Sequence, residues 1–206
     1  MLDILTGGMT IRRREQCVER FASSSIIGDI SMNRTRLAIV SFVAGVLLLP
    51  LGVYLYLAFG GPPVAVADIP FPLEARIVRV PLKARILREM PATAPIPASD
   101  ENLNAGAGIY EDKCETCHGT ADEPSGMGKS MFPVAPQLWV KKKSGVVGVS
   151  DDPVGETYWK VKNGIRLTGM PAYGKALTET QMWQVSLLLS KADKPLPAEA
   201  AKTVGR

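Results

Sequence analysis

Cys114-Glu115-Thr116-Cys117-His118 is the stretch of this chain best equipped for chemistry. Two thiols three residues apart fall on one side of a helical turn. Both can add to the vinyl groups along one porphyrin edge, and the imidazole that follows is placed to ligate the iron. C-x-x-C-H is the attachment signal of a c-type haem. The inventory around the motif narrows the alternatives. The 206 residues hold three cysteines and one histidine, and the third cysteine is Cys17. With that one distant cysteine and no second histidine, the usual four-ligand zinc set is not made up. The segment Asn104–Lys113 does not read as the buried strand that a thioredoxin-like dithiol requires.

Because His118 is the sole histidine, a haem with two histidine ligands from this chain is excluded. A sixth ligand from the protein is therefore methionine, or a rarer lysine, tyrosine or backbone group. Of the eight methionines, Met170 is the best placed, in Gly169-Met170-Pro171-Ala172-Tyr173. Glycine and proline favour an irregular loop there, which frees the thioether from helical constraint. Met127 and Met131, in a Gly/Pro-rich loop soon after His118, are the alternatives. Met182 reads as core filler in the last helix.

The elements that must position these groups are helical. Leu103, Gly106/Ala107, Tyr110 and Cys114 follow i, i+3/4, i+7, i+11 spacing, so one amphipathic helix runs into the motif. Gly106 weakens it by about 1 kcal/mol relative to alanine, which close approach of another helix would justify. Thr178 to Gln181 forms a capping box, and Val185, Leu187, Leu188 and Leu189 supply a buried face up to the stop at Pro195. Between them, Asp152-Pro153 reads as N-cap and first residue of a helix ending at Gly164. No run of alternating strands is present.

Upstream, Leu37–Phe59 is 23 residues without a charge, long enough to span a bilayer. Pro50 is tolerable in such a helix, and Tyr54 and Tyr56 fall where interfacial aromatics collect. The run exceeds a signal-peptide core, so an uncleaved anchor is expected rather than cleavage after Ala65-Val66-Ala67. Arg34 and Arg36 flank it and favour a cytoplasmic N-terminus. Met32-Asn-Arg-Thr-Arg resembles a natural bacterial start, so residues 1–31 read as an upstream extension. Residues 60–99 carry prolines at 62, 63, 70, 72, 81, 91, 95 and 97 and read as a linker of short helical and extended pieces. Its cationic and apolar residues over 75–88 also fit a basic surface for headgroups or a partner subunit, the less favoured reading. Residues 1–36 and 60–99 each carry net +2, and residues 100–206 are neutral. The basic excess thus lies outside the haem segment, and nucleic acid is not an expected partner.

Residues 100–192 resemble a class I mono-haem cytochrome c. The resemblance rests on Gly106 and Tyr110 before the C-x-x-C-H, Ala135-Pro136-Gln137-Leu138 after it, the Gly169-Met170-Pro171 segment and a C-terminal helix. It implies an all-α fold of three to four main helices with long loops around one covalent haem c, behind one transmembrane helix and a Pro-rich linker. The expected segments are 1–36 cytoplasmic, 37–59 membrane, 60–99 linker, 100–195 haem domain and 196–206 tail. The resemblance also implies thioethers at Cys114 and Cys117, iron ligation by His118 and Met170, and a Pro136 carbonyl that orients His118. It places the haem on the outer side of the bacterial cytoplasmic membrane. The function it implies is one-electron transfer between redox proteins, with no small-molecule substrate and no bond chemistry. The alternative is a permanent cytochrome subunit of a dehydrogenase or oxidase complex. A five-coordinate sensor or enzyme would need Met170 off the iron. Lys141-Lys142-Lys143 reads as a solvated loop in preference to a steering patch. Trp139, Trp159, Tyr173 and Trp183 read mainly as core aromatics. Without haem, the domain is not expected to fold stably.

Overall fold

The computed structural model describes residues 33–206. The upstream extension and Cys17 lie outside the described residues. Among those described, the regular elements are helices, and the one β contact is the isolated bridge between Lys141 and Val147. The chain divides into two units after Pro62.

The described part of the first unit is essentially one helix, α1 (Arg34–Phe59), whose N-terminus is capped by the Asn33 side chain accepting from the Thr35 amide at 3.4 Å. Its mean hydropathy reaches 2.3 over eighteen residues, and none of its side chains is buried. Twenty-six residues at 1.5 Å each span about 39 Å, more than a bilayer's hydrocarbon core. Pro50 lies within it.

The second unit contains α2 (Glu74–Glu89), α3 (Asp100–Lys113), α4 (Glu115–His118), α5 (Gly126–Lys129), α6 (Val154–Asn163), α7 (Glu179–Ser190) and α8 (Ala198–Thr203). Its core is the crossing of α3 and α7. Leu103, Ala107 and Tyr110 meet Val185 and Leu188, and Tyr110, Val185 and Leu188 are fully buried. Each such aliphatic side chain contributes about 1.5–3 kcal/mol on burial. Gly106 lies at the crossing: a Cβ there would collide with the Gln184 carbonyl and press on Leu188. The close approach expected of Gly106 is thus present. The Thr178/Gln181 capping box starts α7 as its sequence indicates. Helix α6 packs on α7 by stacking Tyr158 on Trp183, centroids 4.0 Å apart. Pro153, not Asp152, is its N-cap. Asp152 instead pairs with Lys160 at 3.0 Å, a stronger partner than a backbone amide.

Two expected boundaries move. Residues 74–89 form a sixteen-residue helix with Pro81 inside it, not short or extended pieces. Val78, Leu82 and Ile86 recur every four residues and line its less exposed side, with Ile86 buried. This helix docks on α6. The Trp159 indole N–H donates to Glu89 at 3.0 Å, Arg85 lies 5.8 Å from the Trp159 ring centroid, and Arg85 and Glu89 pair at 2.9 Å. Gly155 lets the Pro91 carbonyl approach, since a Cβ would collide with it. Packing thereby outweighs the proline count, and part of the linker belongs to the compact unit. The expected tail likewise forms α8, which packs on α3. Ala200 and Val204 are fully buried, and the Ala200 amide donates to Asn104 Oδ1 at 3.0 Å.

Candidate functional site

Helix α3 ends at Lys113, and Cys114 departs from helical geometry at φ −120°. The single turn α4 follows, with the Cys117 and His118 amides both donating to the Cys114 carbonyl, at 3.2 and 2.9 Å. Gly119 stops it at φ +66°, where a side chain is disfavoured. The Tyr110 hydroxyl donates to the Gly119 carbonyl at 2.6 Å, closing the motif back onto α3. From the loop beyond, Ser125 Oγ donates to the Thr116 carbonyl, and the Ser125 amide donates to Gln137 Oε1 at 2.9 Å. Gly128 passes so near the Cys117 carbonyl that no Cβ fits. The turn is therefore held on both sides.

Cys114, Cys117 and His118 line one cavity together with Pro136, Met131 and Met170. Its walls include Leu138, Val149, Val161, Ile165 and Leu189. The cavity holds about 230 Å³ and opens to solvent at its mouth. Protein interiors otherwise pack as densely as organic crystals. An apolar slot lined by two thiols, an imidazole and two thioethers fits a flat apolar macrocycle carrying iron. Among the described residues, no group of three His, Cys, Asp or Glu side chains is arranged to hold a metal ion by itself.

The His118 Nδ1 lies 2.7 Å from the Pro136 carbonyl. A carbonyl only accepts, so Nδ1 carries the proton and donates, which leaves Nε2 with the lone pair. Burial holds the His118 pKa below its ordinary value, against the opposing pull of the Pro136 carbonyl. The ring is thus neutral near pH 7 and competent as a ligand. Burial, followed by the neighbouring Cys117, pushes the Cys114 thiol up to about 12. The two cysteines are not joined in a disulfide.

The Met170 segment reaches the same cavity through its own clasps. Gly164 ends α6 at φ +65°, with no room for a Cβ beside Met170 and Pro171. The Ile165 amide donates to the Met170 carbonyl at 3.3 Å, and the Met170 amide donates to Thr168 Oγ1 at 3.1 Å. The Tyr173 hydroxyl donates to the Lys113 carbonyl at 2.6 Å, tying the methionine loop to the residue just before Cys114. Lys160 stands in the cavity wall. Burial lowers its pKa, but Glu156 at 2.6 Å and Asp152 at 3.0 Å outweigh that and raise it.

Of the three candidate methionines, Met170 and Met131 line the cavity, while Met127 is 60% exposed and does not. The Met131 Cε occupies the place that a Cβ at Gly169 would take, so a side chain there would displace the methionine tip. Among the aromatics, Tyr173 alone lines the cavity. Trp139 meets Tyr110 edge-on at 5.5 Å, and Trp183 and Trp159 serve helix packing. Lys141, Lys142 and Lys143 are exposed. The Tyr173 clasp and the Lys160 triad were not foreseen from the sequence. An aromatic three residues after Met170, and carboxylates four and eight residues before Lys160, were the available signals.

Residues 101–187 match a family model described as "Cytochrome C oxidase, cbb3-type, subunit III". The matched stretch covers less than half of the chain and runs from α3 through most of α7, including every residue of the cavity motif and the methionine loop. The match supports a c-type cytochrome haem domain with an electron-transfer role. No curated protein and no solved structure matches the chain.

Proposed function

We propose that the chain is a membrane-tethered one-electron carrier holding a single haem c. Cys114 and Cys117 form the two thioether links, and His118 and Met170 ligate the iron. The observation that carries the reading is the convergence of both cysteines, His118 and Met170 on one apolar cavity, with His118 oriented by the Pro136 carbonyl. The haem, when bound, supplies a reversible one-electron change at iron. The chain does the rest. The Pro136 hydrogen bond fixes the imidazole tautomer and raises its basicity as a ligand. The Met170 thioether favours the reduced state and raises the potential. The apolar walls exclude water, and the Tyr173 and Thr168 hydrogen bonds hold the loop closed. A filled coordination sphere leaves no place for a substrate. Helix α1 anchors the chain, with the haem unit on the outer face of a bacterial cytoplasmic membrane.

Permanent membership of a larger oxidoreductase complex is the second reading. It is favoured by the oxidase subunit named in the family description and by the docking of α2, which takes most of the linker into the compact second unit.

The test is an optical spectrum of detergent-extracted protein, reduced and exposed to CO. Covalent, low-spin haem that ignores CO is expected. Met170→Ala should bind CO readily, and Met131→Ala should not. The reverse pattern assigns the sixth ligand to Met131. Covalent haem retained in Cys114→Ala/Cys117→Ala would end the proposal. Extraction with stoichiometric partners favours the second reading, and a monomer favours the carrier.

A further inference from the structure

Helix α2 carries apolar residues on two sides. One side docks on α6 through Ile86, Glu89 and Arg85. The other bears Ile77, Val80, Ala84 and Leu87, spaced i, i+3, i+7, i+10, which places them on one face. Ile77 is 64% exposed, Val80 68% and Leu87 58%. This outward stripe is bordered by Arg76 and Lys83 on one side and Arg88 on the other, and all three are exposed. Among the described residues, none of them, nor Arg79, has a carboxylate within ion-pair distance. The acids of this helix are otherwise engaged: Glu89 holds Trp159 and Arg85, and Glu74 accepts from the Phe71 amide at 3.0 Å.

We propose that this outward face of α2 is a bilayer-contact surface, laying Ile77, Val80 and Leu87 into the interface and setting Arg76, Arg79, Lys83 and Arg88 against anionic headgroups. An apolar stripe edged by unpaired cations is the pattern of a helix lying in a membrane surface. Charge complementarity selects an anionic surface. The tether supplies the second argument. Residues 60–73 alone join α1 to α2, a reach of roughly 45 Å at full extension. Helix α2 thus stays within reach of the surface from which α1 emerges. The inference rests on α1 being a membrane anchor. It deepens the proposed function by fixing the haem unit to the surface, since α2 is docked on that unit.

The experiment uses the haem-loaded full chain in nanodiscs, one set of phosphatidylcholine and one containing phosphatidylglycerol. In a Cys17→Ser background, a nitroxide is placed at Val80→Cys, and a control label at Lys141→Cys. Collisional relaxation by oxygen and by a water-soluble nickel chelate reports whether each label faces lipid or water. The expected result is lipid-facing Val80 in phosphatidylglycerol discs, water-facing Val80 in phosphatidylcholine discs, and water-facing Lys141 in both. Each cation should strengthen the contact roughly fivefold, so Arg76→Gln/Lys83→Gln should return Val80 to water. Val80 equally wet in both discs overturns the inference alone. Val80 shielded from both reagents in both discs assigns the face to a protein partner and overturns it as well. A chain that co-elutes with neither disc overturns the anchor together with the inference.

Discussion

Two glycines in α3 offer a test with opposite signs. Alanine at Gly106 places its Cβ against the Gln184 carbonyl, with Leu188 Cβ 3.2 Å away, and these are backbone and core atoms that cannot swing aside. At Gly108, one turn face away and exposed, nothing lies within 4 Å. Both substitutions gain about 1 kcal/mol of helix propensity. At Gly108 that gain stands alone. At Gly106 it is opposed by overpacking, typically 1–3 kcal/mol and more where backbone must move. Pushing α3 from α7 would also open the contacts of Tyr110, Val185 and Leu188, each fully buried. With the overpacking cost at the upper end of that range, the net for Gly106→Ala is a loss of about 1–2 kcal/mol. For a unit of this size, that lowers Tm by roughly 4–8 °C, and Gly108→Ala raises it by about 4 °C. Thermal unfolding of haem-loaded protein by circular dichroism reads both. If Gly106→Ala is as stable as the parent, the helices are not in the contact described, and the argument for Gly106 fails.

Three further outcomes follow from particular contacts. The Trp159 hydrogen bond, then the one from Arg85, holds the Glu89 carboxyl below its ordinary value. A depressed folded pKa stabilises above the unfolded value and is lost as pH falls through the folded one. Hydrogen exchange should therefore show α2 losing protection below about pH 4 while α3 and α7 keep theirs. Retention of α2 down to global unfolding would contradict this, and Glu89→Gln should loosen α2 even at pH 7. Tyr173→Phe removes the hydroxyl that donates to the Lys113 carbonyl, at about 0.5–1.5 kcal/mol. The reduced variant should bind CO faster than the parent, and an unchanged rate would show that the clasp does not hold the methionine loop. Val204→Ala should cost about 2 kcal/mol by burial and cavity arguments, read by chemical denaturation. A loss within error would mean that α8 is an independent tail.

Local chemistry was legible in the sequence, and competition between segments was not. The C-x-x-C-H turn and the α7 capping box depend on neighbours in the chain or on short spacings, and these carry over directly into geometry. The Pro136 acceptor lies 18 residues from His118, and only the family resemblance pointed to it. The choice among Met127, Met131 and Met170 depends on which loops fold inward. The cavity removes Met127 yet leaves two thioethers on its walls. Helix α2 was hidden by its prolines. Its Val78, Leu82, Ile86 spacing signalled a docking face, but the stabilising partner, Trp159, lies seventy residues on. The tail was misjudged for the same reason, because α8 is held by Asn104 and by burial on α3, ninety-six residues from its amide partner.

The chain's last residues are stitched to its attachment motif: the Ala121 amide, three residues past His118, donates to the Val204 carbonyl at 2.9 Å. Among the described residues, α3 packs mainly on α7 and α8, both far along the chain, and contacts so distant in sequence slow folding. The turn that carries the two cysteines is therefore held on its far side by a segment that lines no part of the cavity. Truncation before Ala198 would free the Ala121 amide and loosen the exit of the attachment turn without removing one wall of the slot.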